Sequence, residues 1–98
     1  MLTIDHGAAS TVVIAGRLDA AQCPTAQAFL DKVSGTVTLD CAQLDYISSA
    51  GLGVLLKTQK RLVASGGKLK LAGVSRHLRD ILQYSGFDQI FEIEPPKQ

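Results

Sequence analysis

Residues 36–53 run TVTLDCAQLDYISSAGLG. The first five, TVTLD (36–40), are short and β-branched and predict a strand. The next thirteen, CAQLDYISSAGLG (41–53), are expected as a loop that ends at small residues and opens a helix. In that helix Leu52, Leu55, Leu56, Leu62 and Val63 form a stripe at helical spacing, while Lys57, Lys60 and Arg61 fall off it, toward solvent. Ser65-Gly66-Gly67 stops the helix. KLKLA (68–72) then alternates as a half-buried strand. Strand, helix and strand in this order predict a crossover joining two parallel strands.

Moving outward, LTIDH (2–6) predicts a first strand with Leu2 and Ile4 on one face, broken by Gly7. TVVIA (11–15) predicts a second, ended by Gly16, and the short link between the two implies an antiparallel hairpin. GRLD (16–19) is expected as a loop. Ala26, Phe29, Leu30 and Val33 then recur at helical spacing, with Pro24 tolerated near the helix start and Ser34-Gly35 closing it. On the other side, Ser75 is positioned to cap a third helix whose Leu78, Ile81 and Leu82 face inward, ended by Ser85-Gly86. QIFEI (89–93) predicts a last strand, and the EPPKQ tail stops regular structure. The order is β-β-α-β-α-β-α-β. It defines an α/β fold over residues 1–98, a single domain with a mainly parallel mixed β-sheet, helices packed on it and one antiparallel edge. No internal repeat, linker or low-complexity segment interrupts it.

Composition agrees. The chain has 98 residues, 46% of them apolar, enough for one modest core. The net charge is +1 and no Lys/Arg run tracks a phosphate backbone, so nucleic-acid binding is not expected. No apolar stretch approaches the roughly 18 residues of a membrane helix. The N-terminus lacks the basic start and apolar segment of a signal peptide, so a cytoplasmic location is expected. Cys23 and Cys41 stand far apart, outside any CxxC pair. Buried free thiols are expected, with no metal and no cofactor.

In a sheet of this kind, ligands bind beyond the carboxyl ends of the strands, which singles out Ser48-Ser49-Ala50-Gly51-Leu52-Gly53. A helix N-terminus offers unpaired N–H groups and partial positive charge, so a hydroxyl there can cap the helix or carry a phosphate. Gly51 and Gly53 each cost the helix about 1 kcal/mol relative to Ala. That cost needs a reason, either tight packing on the sheet or a surface kept open for a partner. Enzymatic motifs do not fit. Ile47 replaces the first glycine of a nucleophile elbow, Leu56 fills the last glycine position of a dinucleotide fingerprint, and no G-K-[ST] is present. His6 and His77 belong to no orienting motif, and Asp40 and Asp45 suit a strand end and a turn.

Taken in order, G-R-L-D (16–19), T-L-D-C-A-Q-L-D-Y-I-S-S-A-G-L-G (38–53), G-G-K-L-K-L-A-G (66–73) and L-x-x-S-G-F (82–87) resemble a STAS domain, the module of sulfate transporters and anti-sigma-factor antagonists, over residues 2–93. The resemblance to the bacterial antagonist type implies a phosphoprotein that regulates transcription by partner switching. Its partners would be an anti-sigma factor that is also a serine protein kinase, and a serine phosphatase. Binding would free a sigma factor, and phosphorylation would end the binding. Alignment on Gly51–Gly53 assigns the phosphoacceptor to Ser49. Ser48 stands where members often carry Asp, and is the alternative acceptor. Asp19 matches an acidic residue near the same loop. The implied partner surface comprises Asp19, Ser48, Ser49, Ala50, Gly51, Gly53 and Lys57, on a non-enzymatic monomer or weak dimer. The competing expectation is a subunit or sensor that binds a small ligand or nucleotide, or assembles into a signalling or transport complex, without phosphorylation.

Overall fold

The computed structural model describes residues 2–94. The expected element order is the observed one. Strands β1 (Leu2–His6), β2 (Thr11–Leu18), β3 (Thr36–Ile47), β4 (Lys68–Ala72) and β5 (Glu92–Ile93) form one five-stranded sheet in sequential order. β1 runs antiparallel to β2, with Leu2 opposite Gly16 and His6 opposite Val12, and the remaining pairs are parallel. The helices are α1 (Cys23–Leu30), α2 (Ser49–Ala64) and α3 (Arg76–Tyr84). Successive right-handed crossovers that step the same way across a sheet leave their helices on one face. Burial alternates accordingly. Val12, Ile14, Leu39, Leu69 and Leu71 are buried with Leu30, Leu55, Leu62 and Leu82 in one core. Thr38, Asp40, Lys68 and Lys70 lie between them, half-buried on the other face.

Three boundaries differ from the sequence reading, each for a physical reason. β2 continues through Gly16, Arg17 and Leu18, and β3 continues through residues 41–47, so of the expected loop residues only Asp19 lies outside the strand in GRLD, and CAQLDYI is strand throughout. Between Val13 and Ala15, and again between Gly16 and Arg17, β3 spends one residue more than β2. These two bulges stretch the inward spacing from Val37, Leu39 and Cys41 to Leu44 and Ile47. The Asp40 carboxylate accepts the Ala42 amide at 3.0 Å beside the first bulge. At the other end, residues 87–89 form a 3₁₀ turn after left-handed Gly86 (φ 74°), and β5 shrinks to Glu92–Ile93.

Gln59 compensates for the short edge. Its carbonyl accepts the Leu69 amide at 2.6 Å and its amide donates to the Ile90 carbonyl at 2.8 Å. The inward line of α2 therefore includes Thr58 and Gln59, whose polar atoms are bonded, while Val63 is 55% exposed. Arg61 turns inward rather than to solvent. It donates to the Leu30 and Val33 carbonyls at 2.7 and 2.6 Å, closing the C-terminal end of α1. Ser75 caps α3 as expected, accepting the Leu78 amide at 3.1 Å. Residues 95–98, where regular structure was expected to stop, lie outside the described residues.

Cys41 is buried, as expected, but Cys23 is only half-buried. Burial, with the Asp40 charge nearby, pushes the Cys41 thiol up to about 12. Since the thiolate is the reactive form, native protein at pH 8 will release one equivalent of thionitrobenzoate promptly from an aromatic disulfide reagent, through Cys23, and the second only on unfolding. Prompt release of both would contradict this packing.

Candidate functional site

The long β3 delivers its last residue, Ile47, beside Leu18 at the end of β2. This places the start of α2 at the carboxyl end of the sheet. Ser48 leaves the strand in an extended conformation (φ −87°, ψ 171°) and caps α2. Its hydroxyl accepts the Gly51 amide at 3.1 Å and donates to the Leu18 carbonyl at 3.2 Å. Its own amide donates to the same carbonyl at 2.9 Å. Both hydroxyl functions of Ser48 are therefore engaged within the fold.

Gly51 sits directly beneath. A Cβ there would lie 2.8 Å from the Leu18 carbonyl oxygen and 2.8 Å from Ile47 Cγ1, so the close approach requires glycine. Gly51 is buried and supports the surface from below instead of contributing a side to it. Gly53 has the opposite environment, with nothing within 4 Å of its would-be Cβ. The two glycines thus answer different demands, tight packing at Gly51 and an open exterior at Gly53.

Ser49 is the first residue of α2 and is exposed. Ser49, Gly53 and Lys57 follow at intervals of four with Ala50 alongside, and all are exposed. They make a smooth strip with one hydroxyl at its head and one cation further along. No acidic side chain occupies the first turn of α2. Asp19 lies one residue beyond Leu18, half-buried, where its carboxylate accepts the Gln22 amide at 3.2 Å and caps the 3₁₀ turn Ala20–Gln22. The structure therefore gathers Asp19, Ser48 and Ser49 at one sheet end and carries Ala50, Gly53 and Lys57 along the outer face of α2.

Two residues that the sequence reading did not single out belong to the same region. Arg17 and Tyr46 pair across β2 and β3, with the guanidinium carbon 4.4 Å from the ring centroid. Their assignment to loops concealed the pairing. His6 takes no part. It ends β1, packs tilted against Phe29 with ring centroids 4.9 Å apart, and lies at the sheet end opposite Ser49. Among the described residues, no histidine or carboxylate bonds to the Ser48 or Ser49 hydroxyl. A cleft bounded by Leu44, Asp45, Ser75 and Ile81 has room for about 10 Å³, the size of one water, and none of the Ser49 strip lines it. Among the described residues, no helix is long and apolar enough to cross a membrane.

The family model described as "Mlab, STAS domain" matches residues 2–93. The chain belongs to the STAS domain family. BtrV of Bordetella bronchiseptica, provisionally named an anti-sigma factor antagonist, is 44% identical over 64 residues, 65% of this chain and 55% of BtrV. The match thus spans about half of that relative's length. Among solved structures, an anti-sigma factor antagonist from Mycobacterium paratuberculosis superposes with a TM-score of 0.81 at 21% identity, covering 97% of this STAS domain and 86% of that chain. The antagonist SpoIIAA of Bacillus superposes in its unphosphorylated form with a TM-score of 0.76 at 22% identity, covering 97% and 89%. Its phosphorylated form does so at 0.70 and 22%, covering 97% and 92%.

Proposed function

We propose that this STAS domain is an anti-sigma-factor antagonist that acts in the cytoplasm as a binding module without a reaction of its own. Its partner is an anti-sigma factor that is also a serine kinase, and its switch is phosphorylation of Ser49, reversed by a phosphatase. The observation that carries the reading is the division of labour between adjacent serines. The Ser48 hydroxyl is committed twice within the fold, whereas Ser49 is exposed at the head of a smooth strip. The names of the relatives point the same way.

A phosphate brings about −1.5 to −2 charges. At Ser49 it meets the N-terminal end of α2 and is favoured within its own domain. Against a partner packed on Ala50 and Gly53 it brings bulk and an uncompensated charge. One such charge is worth a few kcal/mol, on the order of a hundredfold in affinity. The fold need not change.

The test is incubation with the serine-kinase anti-sigma factor of the native host and ATP, followed by phosphosite mapping. The expected product is a single phosphate on Ser49, retained in Ser48→Ala and lost in Ser49→Ala. Modification of Ser48 alone, or of neither, would overturn the proposed switch.

A further inference from the structure

Arg17 and Tyr46 are placed by the second β-bulge immediately before Leu18 and Ile47, the residues that anchor the start of α2. Arg17 is exposed and Tyr46 is 37% exposed. Among the described residues, Arg17 makes no side-chain hydrogen bond and no ion pair, and its only specific contact is the Tyr46 face. A stacked guanidinium keeps its N–H edge free, and that edge matches a carboxylate in a bidentate pair. Arginine and tyrosine are also among the residue types that most often concentrate binding energy at protein interfaces.

The charge of the two helices that follow the strand ends favours an acidic occupant. Lys57 on the Ser49 strip and Arg76 at the start of α3 are exposed, and the first turns of α2 and α3 hold no acidic residue. Two acidic residues flank the pair in sequence: the Asp19 carboxylate accepts the Gln22 amide, and Asp45, directly before Tyr46, is exposed.

We propose that the Arg17–Tyr46 pair is a second anchor of the partner surface, and that it receives a carboxylate from an acidic patch of the anti-sigma factor. This rests on the reading of the Ser49 strip as partner-binding. Tyr46 would hold the guanidinium in place, and Arg17 would fix the register of the partner through charge.

The test is calorimetric titration of the host serine-kinase anti-sigma factor into wild type, Arg17→Gln, Arg17→Glu, Tyr46→Phe, Tyr46→Ala and Ser49→Asp, each checked by circular dichroism. Arg17→Glu is expected to weaken binding by about a hundredfold, and Arg17→Gln and Tyr46→Ala by about tenfold or more. Tyr46→Phe, which keeps the ring, is expected to bind like wild type. Arg17→Glu is further expected to regain affinity when an acidic interface residue of the partner is changed to arginine. If folded Arg17 and Tyr46 variants bind as wild type while Ser49→Asp does not, the second anchor is refuted and the Ser49 strip stands. If wild type itself does not bind, both fall together.

Discussion

Gly51→Val will destabilise the domain severely, and Gly51→Ala will do so measurably, although alanine is the better helix former. The Cβ of either replacement would stand 2.8 Å from the Leu18 carbonyl oxygen and 2.9 Å from Leu18 Cγ. That oxygen is backbone in a paired strand and already accepts two hydrogen bonds from Ser48, so it cannot retreat without breaking them. Overpacking of this kind costs about 1–3 kcal/mol, occasionally more, and opposes the roughly 1 kcal/mol gained on leaving glycine. For Gly51→Ala the packing cost should win. For Gly51→Val two further methyl groups meet the same wall, and a loss of about 3 kcal/mol or more is expected.

Gly53→Ala is the control. Nothing lies within 4 Å of the added methyl, so the domain should gain up to about 1 kcal/mol, several degrees in Tm for a chain of this size. Thermal melts of the three variants decide the matter. Gly51→Ala melting at or above wild type would show that α2 is not pinned to β2 as described. If Gly53→Ala is more stable yet binds the anti-sigma factor less tightly, glycine at this position serves the partner's approach and not the fold.

The contrast between these glycines shows what could be read from the sequence and what could not. The order of elements was legible because Leu55 and Leu62, Leu69 and Leu71, and Leu78 and Leu82 keep the periods of the elements they occupy. The end of β3 was not. Two bulges shift its inward residues off an alternating pattern, so residues 41–47 lose the mark of a strand while remaining paired. Tyr46 and Arg17 were hidden by the same cause. The inward turn of Arg61 was hidden because it depends on the bare carbonyls of Leu30 and Val33, in another helix end that only the tertiary fold brings near. Gln59 was hidden likewise, since its partners Leu69 and Ile90 lie on an edge left short by β5. The small residues of the site were visible as a motif, but a motif does not say which serine is spent on structure.

That distinction carries the second large effect. Ser49→Asp is expected to weaken binding to the anti-sigma factor by about a hundredfold or more while leaving the circular dichroism spectrum unchanged. Its Tm should hold or rise slightly, because a carboxylate enters a helix first turn that contains no acid. Ser48→Ala should behave in the reverse way. It deletes a cap and leaves the Gly51 amide short of its acceptor, a loss of about 1 kcal/mol within a range of 0.5–2. Yet it leaves the exposed Ser49 hydroxyl in place, so binding and phosphorylation should persist. Ser48→Asp sharpens the comparison. A carboxylate can still accept from Gly51, but it cannot donate to the Leu18 carbonyl and would face that oxygen with like charge. Its stability should fall below that of wild type even though aspartate is a favoured cap. Melting curves and titrations on the four proteins separate the roles. If Ser48→Ala abolishes binding at full stability, or Ser49→Asp binds as wild type, the assignment of structure to Ser48 and switching to Ser49 is wrong.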